Sequence, residues 1–426
     1  MSIIDRDFEC QLLDRDGWAM VMLTGIYLFS ILIHFNIPTT TLGMYNLAIP
    51  LLAIGILWLY RDLLLPIWRC HRLTMLLTLG LYIWAWISAL FGGYIPIAAK
   101  YTIKYSSYFI LFPSLLTLCF AFRRNRKTLW IHHFFLAFTL FIAGFGIIDY
   151  VYPRFPVLIW IRTYVNPFGS SRLMSVFDNP TQLGVIMVFG VLNAYIMRKL
   201  KYIKTWLAQL SILVCFAIGI GSGSRNFILT LFLSFIFAIY PCRLLSKREI
   251  IGSSLIVIFF IFTLSFVAPT TLERSFQTLV EIPQNLAIIS QVLNGNLDSL
   301  LTGSIPVPDR LQIWLAAMSF IQQSPITGRG FQVFTQTVME GGFNAHNLIL
   351  GILTDFGFPG LIFLGGIFIS ALYSKNIYDS RVFLLCGFIF TAQLIDYFLH
   401  SFSIIITMIF LLANAANLPE ERQIKP

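Results

Sequence analysis

The chain consists largely of apolar runs of about 20 residues, which short clusters of arginine and lysine separate. A helix of that length crosses the roughly 30 Å hydrocarbon layer of a bilayer. Hydrophobic residues make up 58% of the chain and charged residues 11%, against about a quarter of charged residues in soluble domains. The pattern therefore excludes a soluble globular protein and predicts an all-α, polytopic membrane helix bundle.

Hydropathy divides the chain into about 12 transmembrane helices. Their boundaries are defined only to within several residues. The candidate spans lie near residues 17–35, 42–60, 73–93, 105–122, 128–149, 181–197, 205–221, 226–242, 250–268, 347–373, 382–399 and 402–416.

Basic residues are distributed unequally over the two sides of the predicted membrane. Alternate connections hold most of them, in clusters within residues 61–72, 123–127, 198–204, 243–248 and 375–381. The opposite short connections, including the predicted one at 94–104, hold Lys100, Lys104, Arg154, Arg162, Arg172 and Arg225. By the positive-inside rule the first set is cytoplasmic, which also places both termini in the cytoplasm.

This topology divides the chain into five segments. Residues 1–16 and 417–426 are cytoplasmic tails, 17–268 form transmembrane helices 1–9, and 346–416 form helices 10–12. Residues 269–345 form a long loop on the outer side, between helices 9 and 10. A shorter outer loop is predicted at 151–180. All six cysteines fall in spans or on the cytoplasmic side, so no disulfide is expected in these two outer loops.

The long outer loop is predicted to be helical in part. Residues 271–293 are apolar at helical intervals, as in a helix that lies along the membrane interface. A second helix begins at Asp309, its expected N-cap, and ends before the Ser-Pro pair at 324–325. A glycine-rich turn at 327–330 then leads back to the tenth span.

Arginines lie at the predicted starts of helices on the outer side. Arg225 opens the eighth span and Arg310 opens the loop helix. Helix N-termini carry unpaired N–H groups and about half a positive charge, so they attract anions, and two converging arginines would clamp a phosphate or diphosphate. The alternatives are a snorkelling anchor for Arg225 and a solvated partner of Asp309 for Arg310. Arg172 and Arg329 are secondary candidates, with a headgroup contact or a structural role as their alternatives.

A histidine stands at the start of the tenth span. His346 is the only histidine in the two long outer loops, and it directly precedes Asn347, a further secondary candidate. A helix N-terminus disfavours the imidazolium form, and a neutral imidazole can act as a base; the alternative is a capping or interfacial histidine. No second histidine or clustered carboxylates accompany it, so we expect no metal site and no cofactor.

Acidic residues in the predicted spans indicate a competing function. Asp396 and His400 lie four residues apart on one helix face, as in the proton relay of a transporter, and Asp149 and Asp355 lie in or at the ends of spans. The alternative for each is a buried polar contact to an arginine, or to the backbone at a helix break.

The N-terminal tail contains two Asp-Arg-Asp triplets, at residues 5–7 and 14–16. Such patterns also bind the metal and nucleotide in sugar-nucleotide transferases, but no folded domain is attached to this tail. We therefore expect a solvated charged segment.

Several motifs on the outer side follow one another in an order that resembles a known family. The strongest is His346-Asn347, nine residues, Gly357, two residues and Gly360. Supporting motifs are the Ser224-Arg225 turn, Arg310 with Trp314, the Ser324-Pro325 turn with Gly328 and Gly330, and the Phe177-x-Asn179-Pro180 start of the sixth span. Together they resemble the O-antigen ligase and polymerase superfamily of bacterial envelope glycosyltransferases, most clearly over about residues 170–370.

The resemblance implies a glycosyltransferase of the bacterial inner membrane that works at the periplasmic face without metal or nucleotide sugar. Its donor is a glycan on undecaprenyl diphosphate. Arg225 and Arg310 match the family's two diphosphate-binding arginines, and His346 matches its essential histidine. The chemistry is consistent, because an inverting transfer needs a base beside the acceptor hydroxyl and a stabilised leaving diphosphate.

The acceptor distinguishes the members of this superfamily, since ligases use lipid A–core and polymerases use another lipid-linked glycan. The arginine-to-glycine spacings of some polymerases are not clearly met, because Arg172 reaches Gly184 one residue late and Arg310 reaches no glycine at that spacing. We therefore predict an O-antigen ligase. Polymerases of O-antigen or exopolysaccharide, and enzymes that glycosylate pilins, are alternatives.

A twelve-span transporter is the alternative from another class. Many transporters are two six-span halves joined by a central cytoplasmic linker, whereas here the long loop is outer and off-centre and no internal repeat is evident. Because the basic residues lie in short clusters between apolar runs, nucleic acid is not an expected partner. The expected partners are the lipid-linked donor, the acceptor and membrane lipids.

Overall fold

The computed structural model describes residues 14–32, 44–125, 127–158, 172–177, 179–239, 251–252, 262, 309–338 and 347–373. Within these ranges the regular structure is helical, without strands. The helices are α1 (Arg15–Leu32), α2 (Met44–Leu59), a 3-10 turn (Arg61–Leu63), α3 (Leu64–Cys70), α4 (Arg72–Phe91), α5 (Ile95–Tyr105), α6 (Ser107–Arg124), α7 (Thr128–Val151), α8 (Pro180–Lys199), α9 (Thr205–Gly221), α10 (Arg225–Ile239), α11 (Asp309–Gln323), α12 (Val333–Thr337) and α13 (Leu348–Tyr373).

Five helices of the described part are long and apolar enough to cross a membrane. A sixth span results if Ala48–Leu59 and Arg61–Cys70, which meet at a bend of 70°, are counted together. The all-helical class and the membrane character are thus confirmed, whereas the count of twelve, the sidedness and the loop between helices 9 and 10 stay predictions. The five helices are Arg72–Phe91, Ile95–Arg124, Leu129–Val151, Pro180–Lys199 and Leu348–Ser370.

Several predicted features lie outside the described residues. They are the spans at 382–399 and 402–416, nearly all of the span at 250–268, the loop helix at 271–293, the tail at 417–426, the triplet at 5–7, Asp396, His400 and His346.

The segment 94–104, predicted as a connection, is helical. α5 occupies it, and together with α6 it forms one apolar stretch, Ile95–Arg124. The ring of Tyr101 lies 5.7 Å from the Lys100 ammonium and 5.9 Å from that of Lys104. The two lysines lower the local hydropathy, which is why the sequence predicted a connection here. Lysine stems and an aromatic ring can nevertheless share an apolar surface, and the helix of this stretch begins ten residues before the predicted span.

α8 lies at the centre of the described bundle. Of its apolar stretch 83% is buried inside the protein, against 33% for α4, which packs mainly on α13 and α5. Gly190 lets α8 approach both neighbours, since a Cβ there would lie 2.4 Å from Thr139 of α7 and 2.7 Å from Cys215 of α9. Small residues permit such close helix contacts in membranes.

Asp16, the last residue of the triplet at 14–16, is buried, contrary to the prediction of a solvated segment, whereas the Asp14 and Arg15 side chains are 37% and 39% exposed. Asp16 is only 3% exposed. Its carboxylate accepts hydrogen bonds from Tyr60 (2.7 Å) and Asn125 (3.0 and 3.1 Å) and pairs with Lys127 (2.7 Å). Tyr60 directly follows α2, and Asn125 and Lys127 lie between α6 and α7. The charge pattern of the tail alone could not reveal these distant partners. A buried carboxylate is tolerated here because it is paired and hydrogen-bonded.

Candidate functional site

The turn between α9 and α10 carries Arg225 at the first residue of a helix. α9 ends at Gly221, and the amides of Ser222 and Gly223 donate to carbonyls of its last turn (3.0 and 2.7 Å). Gly223 has a φ of 58°, a left-handed conformation that glycine adopts readily. α10 then begins at Arg225, in agreement with the motif, whereas the Arg225 side chain lies outside the described part.

Arg172 lies against this turn. Its Nε donates to the carbonyl oxygen of Ser222 (3.3 Å). Its stem covers Gly223, where a Cβ would lie 3.2 Å from Arg172 Cγ. The structure therefore brings one secondary candidate of the sequence, Arg172, to the turn from which Arg225 begins.

The segment 172–177 is buried and fixed by hydrogen bonds to two helices. On one side, an amide of the segment donates to the Gly221 carbonyl at the end of α9 (2.8 Å). On the other, the fully buried Asp149 near the end of α7 accepts from the amides of Met174 (2.9 Å) and Ser175 (3.2 Å). Of the interpretations that the sequence left open for Asp149, the contact with the backbone is observed.

The start of α8 lies beside the same turn. Asn179 caps the helix, since its side chain accepts from the Thr181 amide (2.8 Å), and the helix begins at the next residue as the motif indicates. A Cβ on Gly184 would lie 3.1 Å from Ser224 Cβ, which shows how closely α8 approaches the turn. The second turn of α8, Arg172 and the first residue of α10 thus lie around one turn, and the first turn of α10 is the helix N-terminus that faces it.

Asn347 is the N-cap of α13. Its side-chain oxygen accepts from the amides of Ile349 (2.9 Å) and Leu350 (3.1 Å). These bonds satisfy N–H groups that the first helical turn leaves without a partner, and α13 therefore begins at Leu348. His346, which precedes the cap, lies outside the described residues, and its role as a base stays a prediction.

α13 is interrupted at Gly357, which has a φ of 65° and a ψ of −167°. The carbonyls of Thr354 and Asp355, before the break, accept from the amides of Arg329 (3.0 Å) and Gly330 (2.9 Å). Hydrogen bonds that the helix cannot make are thus supplied by the loop after α11.

α4 closes the other side of the break. The hydroxyl of Ser88 donates to the Asp355 carbonyl (2.6 Å), and the indole of Trp84 donates to the Phe356 carbonyl (2.7 Å). Backbone groups in a membrane need such partners, because lipid supplies none.

Glycines permit the contact between the loop and the break. A Cβ on Gly357 would lie 2.1 Å from the Ile326 carbonyl oxygen, and one on Gly328 would lie 2.5 Å from the Asp355 carbonyl oxygen. Gly328 also has a positive φ, 65°. Two motifs that are separate in the sequence, the Ser-Pro turn with its glycines and the glycines after His-Asn, are therefore one structural unit.

Arg329 is held by side chains of α11 and by the residue that precedes α5. Its Nη2 donates to the Gln323 side chain (2.7 Å), and its guanidinium carbon lies 5.5 Å from the ring of Tyr94 and 5.4 Å from that of Phe320. These contacts support the structural alternative for Arg329. A role in ligand binding stays a prediction.

Arg310 lies in the first turn of α11, as predicted. The helix includes Asp309 as its first residue, whereas the sequence predicted this residue as the N-cap. The side chains of Arg310 and Arg225 are outside the described part, so their convergence on one anion stays a prediction.

Asp355 contacts the backbone. It is 2% exposed, and its Oδ1 accepts from the Gln332 amide (3.1 Å). The observed contact is the alternative given above, a polar contact with the backbone at a helix break.

Within the described ranges, no three His, Cys, Asp or Glu side chains are grouped so that they could hold a metal ion. His346 is not among these residues. The expectation that its surroundings bind no metal stays a prediction.

Together these features define a multi-pass membrane protein whose described part is helical, and in which α8, the start of α10 and an arginine lie at one polar turn. Residues 210–365 match the Wzy_C family model, described as O-antigen ligase. This match confirms the resemblance to the O-antigen ligase and polymerase superfamily. It includes the turn before Arg225, all of α11 and the break at Gly357. No curated protein matches the chain.

Sequence reasoning missed two contributions to this site. The sequence places Asp149 at the end of a span, but nothing in it indicates that this acid binds the segment that carries Arg172. The capping role of Asn347 did have a signal, an asparagine directly before a long apolar run.

Proposed function

We propose that the protein is an O-antigen ligase. It transfers a glycan from undecaprenyl diphosphate to lipid A–core at the periplasmic face of the bacterial inner membrane, without a metal or a nucleotide sugar. The observation that carries the proposal is the family match, because residues 210–365 contain Arg225, Arg310 and His346 in one stretch.

Arg225 and Arg310 bind the diphosphate of the donor in this proposal. Arginine suits the task, because its planar guanidinium forms paired hydrogen bonds to phosphate oxygens and stays charged. The turn at 221–225 supports the assignment, since the start of α8 and Arg172 lie against it.

His346 is the general base. It takes the proton of the acceptor hydroxyl while that oxygen attacks the anomeric carbon, and the bond from this carbon to the diphosphate oxygen breaks with inversion. The electron pair leaves with undecaprenyl diphosphate, whose negative charge the arginines stabilise. The cap by Asn347 supports this role, because it fixes the backbone directly after His346.

The test is complementation of a strain that lacks its own ligase, with the lipopolysaccharide ladder as the readout. We expect wild type to restore the ladder, and His346→Ala, Arg225→Ala and Arg310→Ala to abolish it at equal membrane levels. His133→Ala and Arg198→Ala are the matched controls, because both residues lie on the predicted cytoplasmic side, and they should retain activity.

Two results would contradict this proposal. Ladders from all three variants would remove the named residues from the site. If wild type restores chain length in a polymerase-deficient strain but adds no glycan to the lipid A–core, the protein is a polymerase of the same superfamily.

A further inference from the structure

Asp149 has no part in the proposed transfer, yet it is fully buried near the end of α7. One of its carboxylate oxygens accepts two amides in succession, those of Met174 and Ser175. Burial of a carboxylate is unfavourable unless hydrogen bonds replace its water. An apolar residue at position 149 would leave the two amides without this acceptor.

The segment that Asp149 binds is strained. Ser175 has a φ of 55°, in the left-handed region that residues other than glycine rarely adopt. Its hydroxyl donates to the Ile142 carbonyl of α7 (2.8 Å), so two bonds to α7 hold this residue in place. Backbone strain persists only where its surroundings compensate for it, and strained residues often lie at functional sites.

The strained residue lies three positions after Arg172, whose Nε binds the carbonyl of Ser222. Arg172 has a long side chain with many rotamers, and its place against Gly223 depends in part on where its own backbone lies. The amide of Leu173, next to Arg172, binds the Gly221 carbonyl (2.8 Å), and Asp149 and Ser175 connect the same segment to α7. The end of α7 therefore contributes to how Arg172 meets the turn before Arg225.

We infer that Asp149 is a positioning residue for the donor site. Through the amides of Met174 and Ser175 it holds Arg172 on the turn at 221–225, so that Arg172 adds to the binding of the donor diphosphate. The inference rests on the proposed function, because it assigns the anion at this turn to a lipid diphosphate.

The test measures binding of undecaprenyl diphosphate, without a glycan, to the purified full-length protein in nanodiscs. We expect Arg172→Ala to raise Kd by about 10-fold or more, the range of one hydrogen bond to a charged group. Asp149→Ala should raise Kd by a similar factor. Asp149→Asn keeps an oxygen that can accept both amides, so its Kd should stay closer to that of wild type.

A double variant separates positioning from general damage. If Asp149 acts through Arg172, adding Asp149→Ala to Arg172→Ala should raise Kd little further, because the positioned side chain is already gone. Asp16→Ala is the matched control. Asp16 is also a buried, hydrogen-bonded acid, but it contacts Asn125, which precedes α7, at the end of this helix opposite to Asp149. It should lower the melting temperature without changing Kd.

The other outcomes separate an error in the proposed donor site from an error in the positioning role of Asp149. If wild type does not bind undecaprenyl diphosphate, the proposed donor site is wrong. If wild type binds but Asp149→Ala binds equally well, or if the effects of the two substitutions add, the positioning role is wrong. Should Asp149→Ala fail to fold, Ser175→Ala carries the test, because it removes the other bond between the segment and α7; an unchanged Kd would then overturn the inference.

Discussion

Asn347, Asp149 and Asp355 perform the same task at three places, because each accepts amide hydrogens of the backbone. Asn347 serves the first turn of α13, Asp149 the segment 172–177, and Asp355 the loop before α12. In lipid an unpaired amide is far more costly than in water. These three polar residues therefore fix the backbone close to Arg172, Arg329 and His346 in the chain.

Replacement of Asn347 by alanine should loosen the start of α13. The loss of an N-cap lowers the free energy of unfolding by about 1 kcal/mol, and here it also frees the backbone that follows His346. We expect a lower melting temperature and a marked loss of transfer. Thermal unfolding in detergent, together with the ladder assay, measures both effects.

Asn347→Ser is the control for this prediction, because serine is also a good cap. It should recover most of the stability and of the activity. If serine is as inactive as alanine while both variants remain stable, Asn347 acts on the substrate and capping is not its main role.

At the scale of elements, the loop at 324–332 and the interrupted α13 form one unit. The loop amides complete the hydrogen bonds of the helix, and glycines allow the two backbones to touch. Disturbing either side should therefore disturb both.

Gly357→Ala should unfold this unit. Its φ is positive and its Cβ would meet a backbone oxygen at 2.1 Å, so we expect a loss of more than about 2 kcal/mol. Gly365→Ala, on the same helix, meets nothing within 4 Å and should be neutral or slightly stabilising. Melting temperatures from fluorescence-detected size-exclusion chromatography compare the two variants, and equal melting temperatures would show that the break is not constrained.

Lys127, in the connection of α6 to α7, pairs with Asp14 and Asp16 at the start of α1, outside the predicted spans. The hydrogen bond from Lys127 (2.6 Å) lowers the pKa of Asp14 below its usual 3.8. Burial lowers the pKa of Lys127, but its hydrogen bonds to Asp14 and Asp16 outweigh this effect and raise it. The stabilisation is therefore complete above about pH 4 and below about pH 10, and it is lost progressively outside that window.

Lys127→Met tests this linkage. The variant should melt at a lower temperature than wild type at pH 7, and the difference between the two should shrink as the pH falls towards 3. Asp14→Asn should show the same trend with a smaller amplitude, because Asp16 retains its partners. A difference that is constant between pH 3 and pH 7 would mean that packing, and not the ion pair, is lost.

The sequence predicted the elements better than their contacts. Apolar runs defined the helices to within a few residues, since α7, α9 and the start of α8 agree with the predicted spans. The sequence did not predict α5, where lysines interrupt the hydropathy, or the burial of Asp16, whose partners are far away in the chain. The charge pattern of a segment does not show which distant groups will bury it.

At the scale of the whole molecule, the sidedness predicted from basic residues can be tested with Cys70, which is exposed and lies on the predicted cytoplasmic side. In a variant that keeps Cys70 as its only cysteine, a membrane-impermeant maleimide should react only after the inner membrane is opened. Ser299→Cys, in the predicted outer loop, should react in intact spheroplasts when it is the only cysteine. Reaction of Cys70 in intact spheroplasts would invert the topology.

The site was predictable in its parts and not in its assembly. Sequence motifs identified Arg225, Arg310 and His346 as candidates. Helix-start signals predicted the capping position of Asn347 and the start of α8. The sequence did not show that Arg172 reaches the turn before Arg225, because that contact depends on α7, α9 and a strained serine. Nor did it reveal that the glycine turn at 327–330 contacts the break at Gly357, since each motif on its own is explained by a local turn or helix break.

The joint between the loop and α13 also bears on how the chain is made. The carbonyls before Gly357 take their partners from residues 329–330, which leave the ribosome before α13 does. When α13 enters the bilayer, the loop amides that complete its hydrogen bonds have already been synthesised, and the side chains of α4 have been in place longer still. The discontinuous helix thus need not wait for later segments to satisfy its backbone, and vectorial synthesis itself orders the assembly of this part of the protein.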